Sequence, residues 1–201
     1  GKTTVTTLIG ETLKLSNKKV FVCGNIGTPF SKFVLDIKKD DLVALEISSF
    51  QLEAIDKFKP HVAVFLNFSQ NHLDRHKDMV EYLTAKKRIF LNQTKEDFAV
   101  LNYAEPIVRN LAREIKSRAV FFNRGEEAKI SNPNYLAALA VAGIFGVDKD
   151  KCIKLLEDFK GVEHRLEFVR NIRGIDFIND SKATTVEAAV WALNAIDKPI
   201  I

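Results

Sequence analysis

Leu42-Val43-Ala44-Leu45-Glu46-Ile47-Ser48-Ser49-Phe50-Gln51-Leu52 passes from an apolar run to a carboxylate and then to a helix start. Continuous rather than alternating hydrophobicity is the pattern of a strand covered on both faces, as in a parallel sheet. Ser48 and Gln51 have the spacing of a capping box, which opens a helix at Ser49. Glu46 therefore falls at the carboxyl end of a buried strand, the rim at which open α/β sheets bind ligands. A carboxylate continuing a buried strand costs several kcal/mol unless a basic partner or a metal ion meets it. The chain itself opens Gly1-Lys2-Thr3-Thr4, the back half of the phosphate-loop pattern G-x-x-x-x-G-K-[ST]. In that pattern backbone N–H groups and the helix N-terminus bind oxygens, Lys2 neutralises charge and Thr3 ligates Mg²⁺. The alternative is a helix start with a capping threonine. Loop and strand-end acid together are a minimal kit for a nucleotide and its Mg²⁺.

Outward from this stretch, apolar runs at 19–24, 61–67, 98–102 and 119–123 also read as strands. Helical patterns at 3–15, 49–57, 78–92 and 105–116 alternate with them, which predicts a mostly parallel sheet with helices on both faces. Two consecutive helices follow at 133–145 and 149–159, then a hairpin at 166–172 and 175–179, a helix at 184–195 and a strand ending at Ile201. A domain boundary is expected near Gly161, giving a nucleotide-binding domain over 1–160 and the start of a second, Rossmann-like α/β domain over 161–201.

The 201 residues are 46% hydrophobic and 28% charged, ordinary for a globular protein. The net charge of +4 comes from lysines and arginines scattered among acids, so a nucleic-acid-binding stripe is not indicated. Cys23 and Cys152 stand far apart and outside any CxxC pattern, which argues against a disulfide scaffold and reads as a reducing, cytoplasmic setting. No apolar run approaches the ~18 residues that a membrane span needs. A first residue that is not Met, ahead of half a phosphate loop, reads as a fragment.

Three further clusters carry chemistry. The loop Asn67-Phe68-Ser69-Gln70-Asn71-His72-Leu73-Asp74-Arg75-His76 follows a strand with two imidazoles. His72, near the strand end, is the candidate ligand, and His76 reads as a solvated loop residue. In the next helix, at 100° per residue, Met79, Leu83 and Phe90 share a face with Lys86, with Tyr82 and Ile89 at its edge and Arg88 opposite. An inward lysine ordinarily snorkels its ammonium to water; if held inside, its pKa falls and the amine becomes reactive. Asn132 before Pro133 reads as an N-cap, with Asn134 free to contact a base or ribose. Arg165 is a candidate phosphate contact. Asn179-Asp180-Ser181-Lys182-Ala183-Thr184 gathers more polar groups than capping requires.

Taken in order, these segments resemble the Mur ligases over the full chain. Gly-Lys-Thr-Thr and Asn-His-Leu-Asp-Arg-His are shared broadly with folylpolyglutamate synthetases. Gly24-Asn25-Ile26-Gly27, Glu46-Ile47-Ser48-Ser49-Phe50-Gln51-Leu52 and Asn179-Asp180-Ser181-Lys182-Ala183-Thr184 are similar to the D-glutamate-adding branch. The resemblance implies that ATP phosphorylates the carboxylate of UDP-N-acetylmuramoyl-L-alanine, and that D-glutamate's amine then forms an amide through a tetrahedral intermediate. It implies Gly1, Lys2, Thr3 and Thr4 on the phosphates, and Thr3, Glu46, His72 and a carbamylated Lys86 around two Mg²⁺ ions. It further implies Asn132, Asn134, Arg165 and Asp180 on the nucleotide, Asn25 and Ser48 near the UDP-sugar, and Lys182 and Thr184 toward D-glutamate. Lys2, His72, Lys86 and Arg165 would be catalytic, in a monomer. Departures are Asn71 where the family has Asp, Ser131 where it has His, and a shorter span between Phe122 and Asn132. The family's uridine-diphosphate-binding domain and most of its third domain are absent from the sequence, so this piece is expected not to turn over alone. A non-catalytic nucleotide-binding module is the competing class.

Overall fold

The computed structural model describes residues 1–69, 76–125, 130–184 and 186–201. They form two units, Gly1–Asp158 and Phe159–Ile201.

In the first unit the order is α1 (Lys2–Lys14), β1 (Val20–Gly24), β2 (Leu42–Glu46), α2 (Ser49–Glu53), β3 (Val62–Phe65) and α3 (Met79–Lys87). It continues with β4 (Phe98–Asn102), α4 (Pro106–Asn110), β5 (Arg118–Phe122), α5 (Pro133–Ile144) and α6 (Lys149–Glu157). All pairings are parallel: β1 with β2, β3 with β4, and β4 with β5. Among the described residues β2 and β3 share no ladder, so the sheet stands in two parts. The expected α/β architecture with helices between parallel strands is the observed one. Gly10 lets α1 lie tight on β1, because a Cβ there would run into the Val22 side chain. A buried cluster of Ala63, Phe65, Phe90, Ala99, Leu101, Val108 and Leu111 fills the space beneath β3 and β4.

Several helices are shorter than their sequence patterns. The pattern at 49–57 ends as helix at Glu53, and that at 78–92 turns into a 3₁₀ turn over Arg88–Phe90. Arg88 donates to the carbonyls of Leu52 and Ile55 at 2.8 and 2.7 Å, and Asn92 donates to those of Asp56 and Phe58 at 2.6 and 2.9 Å. Those donors satisfy carbonyls that a longer α2 would have to pair internally. The pattern at 105–116 likewise ends at Asn110, followed by a 3₁₀ turn over Leu111–Arg113.

Buried polar side chains tie the β3–β5 layer. Gln93 donates to the carbonyls of Pro60 and Phe98 at 2.9 and 3.0 Å and accepts from Ser117 at 2.8 Å. Asp97 accepts from the Thr94 backbone at 2.8 Å, sits 3.0 Å from the Lys59 ammonium and 3.3 Å from His61 Nδ1.

The second unit holds β6 (Glu167–Ile172) and β7 (Ile175–Asn179), paired antiparallel as the expected hairpin, and α7 (Val186–Asn194). A register break falls between Phe168 and Arg170. The strand expected at the last residues does not form, since the described residues of this unit offer it no ladder partner. Among the described residues no helix is long and apolar enough to cross a membrane.

Burial pushes the Asp97 carboxyl up, but hydrogen bonds from Thr94, Lys59 and His61 outweigh it and hold it at about 2. Its stabilising effect is complete above about pH 4 and is lost as pH falls toward 2. Asp97→Asn is expected to cost about 2 kcal/mol at pH 7 and almost nothing near pH 2, measured by urea unfolding at the two pH values.

Candidate functional site

Between β2 and β3 lies a cavity of about 530 Å³. Its walls are apolar, from Leu13, Leu42, Ala44, Val62 and Val64, while Lys2, Glu46, Ser48, Asn67 and Lys86 supply polar groups. Glu46 ends β2, Asn67 follows β3 and Lys2 opens α1, so these three belong to the carboxyl rim of the sheet.

Glu46 is buried at 5% exposure. Its Oε1 accepts from the Asn25 amide at 3.3 Å, while Oε2 has no hydrogen-bond partner among the described residues. The basic partner that would explain a buried strand-end acid is not there: among the described residues no ion pair involves Glu46. An orphaned carboxylate oxygen of this kind fits a hard cation. Among the described residues no group of three or more His, Cys, Asp or Glu gathers, so a cation held here would draw its other ligands from hydroxyl, water or phosphate oxygen.

Lys86 does not snorkel. Its Nζ lies over the Tyr82 ring, 4.9 Å from the centroid, and 5.4 Å from that of Phe65. Burial pushes its amine down to about 8, and the positive charge of Lys2 acts in the same direction. The buried positions of α3 are Tyr82 and Ala85, so the inward face centres one position from the Met79–Leu83 line that periodicity suggests.

α1 begins at Lys2 with Gly1 as N-cap and no side-chain cap, so the threonine-capping alternative does not apply. Thr3 is buried at 9% exposure, and its carbonyl accepts from Thr7. Neither Thr3 nor Thr4 lines the cavity. Ser48 and Gln51 form the full capping box of α2, and Ser48 also lines the cavity. Asn132 caps α5 through its side chain, accepting from the Asn134 backbone at 3.0 Å, and neither asparagine lines the cavity. His72 lies outside the described residues, as does Asn71.

His76, expected to be solvated, is buried at 2% exposure. Its Nε2 meets Ser49 Oγ at 3.1 Å, its Nδ1 lies 3.4 Å from Glu53, and its ring lies between Phe50 and Tyr82 at centroid distances of 5.6 and 5.0 Å. Two polar partners and two aromatic faces offset the cost of burying an imidazole. His76 thus backs the ring that carries Lys86. Its partners sit 23, 26 and 27 residues upstream and 6 downstream, where no local period links them to His76.

In the second unit, Arg165 has a buried Nε without a partner among the described residues. Asp180 accepts from the Leu166 backbone at 3.2 Å, and the Lys182 backbone donates to His164 at 3.1 Å, so part of that polar cluster serves the hairpin's own closure. Thr184 is exposed.

These features define a parallel α/β domain with a charged cleft at its strand ends. The Mur ligase middle domain model matches residues 1–151, and the chain belongs to that family. Curated relatives named UDP-N-acetylmuramoylalanine–D-glutamate ligase include one from Clostridioides difficile, 37% identical over all of this chain and 51% of the relative. Another, from Caldicellulosiruptor bescii, is 40% identical with the same coverage. The chain therefore spans about half the length of the curated relatives it matches. Among solved structures, MurF from Acinetobacter baumannii aligns with a TM-score of 0.77 at 20% identity, over 98% of this chain and 52% of that one. MurF ligase from Thermotoga maritima in complex with ADP aligns at 0.74 and 20%, over 96% and 55%. At such identity these two structures speak to the fold alone.

The Lys86 amine is expected to be acylated with a midpoint near pH 8, against about 10.4 for an ordinary lysine. Lys2→Met removes the neighbouring charge and raises that midpoint; competitive labelling read by mass spectrometry measures both.

Proposed function

We propose that this chain is the ATP-binding core, with the start of the following domain, of an ADP-forming ligase that adds D-glutamate to UDP-N-acetylmuramoyl-L-alanine in cytoplasmic peptidoglycan precursor synthesis. The observation that carries the reading is the convergence of Lys2, Glu46 and Lys86 on one cavity at the strand ends. The relatives' names supply the substrates.

In this reading the start of α1, with Gly1, Lys2, Thr3 and Thr4, receives the β- and γ-phosphates. The γ-phosphoryl group passes to the substrate carboxylate and ADP leaves. The amine of D-glutamate then attacks the acyl phosphate, and the tetrahedral adduct expels phosphate to leave the amide. Lys2 neutralises charge that builds on the transferring phosphoryl. Thr3, Glu46, His72 and Lys86 as its carbamate would hold magnesium, two ions in all, which when bound neutralises phosphate charge. The orphaned Glu46 oxygen supports a cation there. Carbamylation has an electrostatic rationale: CO₂ adds to a neutral amine, which the lowered pKa of Lys86 makes available, and the product replaces a cation beside Lys2 with an anion. Asn132, Asn134, Arg165 and Asp180 are assigned to the nucleotide, Ser48 and Asn25 to the UDP-sugar side, and Lys182 and Thr184 to D-glutamate. The unpartnered Arg165 Nε supports an anion in its vicinity. The molecule acts as a monomer.

Two measurements test this. The 201-residue chain is expected to bind ATP in the presence of Mg²⁺ by calorimetry, with Lys2→Ala weakening binding at least tenfold; equal affinity for the variant counts against the phosphate assignment. In a chimera where these residues replace the matching half of the Clostridioides difficile relative, ADP release should require both UDP-N-acetylmuramoyl-L-alanine and D-glutamate. Release without either overturns the ligase assignment, and release with L-glutamate and a folate instead moves the chain to a folylpolyglutamate synthetase-like ligase.

A further inference from the structure

The last residue of β1 and the one after it are shaped around Glu46. Gly24 pairs with Glu46 in the parallel register and takes φ of +111°; a Cβ there would collide with the Glu46 carbonyl oxygen and the Leu45 side chain. The Asn25 backbone N–H donates to that same carbonyl at 2.8 Å, extending the β1–β2 ladder by one bond. The Asn25 amide then donates to Glu46 Oε1 at 3.3 Å. The loop returns at once, with Gly24 N–H donating to the Thr28 carbonyl at 3.0 Å. Backbone and side chain of one residue thus hold both ends of Glu46, and only Oε2 is left without a partner among the described residues.

We propose that Asn25 is a positioning residue for Glu46, turning its carboxylate so that a single oxygen is offered to a divalent cation. The inference rests on the reading of Glu46 as a cation ligand, and it adds a second role to the place that Asn25 is given on the UDP-sugar side. The chemistry of the amide suits the task. A lysine or arginine at this place would cancel the negative charge that attracts the cation, and an apolar residue would leave both oxygens unoriented and one more lone pair buried without a donor. A neutral donor occupies Oε1, fixes the carboxylate plane and leaves the full charge in place, as an outer partner of a metal ligand does.

The probe is Mn²⁺ titrated into the 201-residue chain with one equivalent of ATP, followed by the electron paramagnetic resonance signal of the free ion. Glu46→Gln should weaken binding by more than tenfold. Asn25→Ala should weaken it about 10- to 100-fold. Asn25→Asp, which loses the donor but places a second anionic oxygen beside the ion, should bind at least as tightly as the unaltered chain. Opposite signs for the two Asn25 variants separate positioning from mere support of the loop. If Glu46→Gln weakens binding while both Asn25 variants match the unaltered chain, or both weaken it equally, the positioning role is overturned and the ligand role stands. If Glu46→Gln binds as the unaltered chain does, the ligand role itself is overturned.

Discussion

A carboxylate buried at the end of a parallel strand with one oxygen unsatisfied is the constraint around which this molecule's working end is organised. Glu46 is 5% exposed and meets no cationic side chain within ion-pair distance among the described residues. Such a group costs several kcal/mol unless something completes its shell. The fold keeps it there by construction: Gly24 clears its carbonyl, Asn25 bonds it twice, and the capping box at Ser48 turns the chain away immediately afterwards. The surrounding core obeys the ordinary rules of packing, so the departure is local, which is where functional demands are met.

The cavity also holds two like charges. Lys2 and Lys86 both line it, and burial together with the charge of Lys2 disfavours the Lys86 cation. Among the described residues, what holds Lys86 is a stack rather than a salt bridge. Its ammonium lies over Tyr82, Tyr82 lies against His76, and His76 is fastened to α2 by Ser49 and Glu53. Arg88 and Asn92, just beyond α3, bond the carbonyls at and after the end of α2, so the two helices are locked at both ends of their contact. Rigid placement of an unfavourable charge is what preorganises a cleft for a polyanion. The energy that resists collapse is drawn from the packed layer of β3, β4 and β5 and from polar anchors such as Gln93 and Asp97.

Much of this was legible in the sequence because it is local. Continuous apolar runs marked the parallel strands, the Ser48 to Gln51 spacing marked the start of α2, and Pro133 behind Asn132 marked the start of α5. Glu46 at a strand end followed from the continuous apolar run that it closes, and Lys86 on an inward face from the 3.6-residue period that helix geometry enforces. Helix ends were not legible in the same way. Where α2 stops depends on Arg88 and Asn92 more than 30 residues away, and no local pattern encodes a donor arriving from another helix.

The same division runs through the site. Residue types and their spacing determined that the chain carries a lysine at a helix start, a strand-end acid and an inward amine, because each depends on neighbours within one turn or one strand. Only the tertiary structure decided that His76 is buried, that the exposed Asn25 reaches Glu46 with its amide, and that one carboxylate oxygen has no partner among the described residues. Those outcomes depend on which atoms from distant segments arrive within about 3 Å of each other, and hydrogen-bond satisfaction in a buried space is set by that arrival.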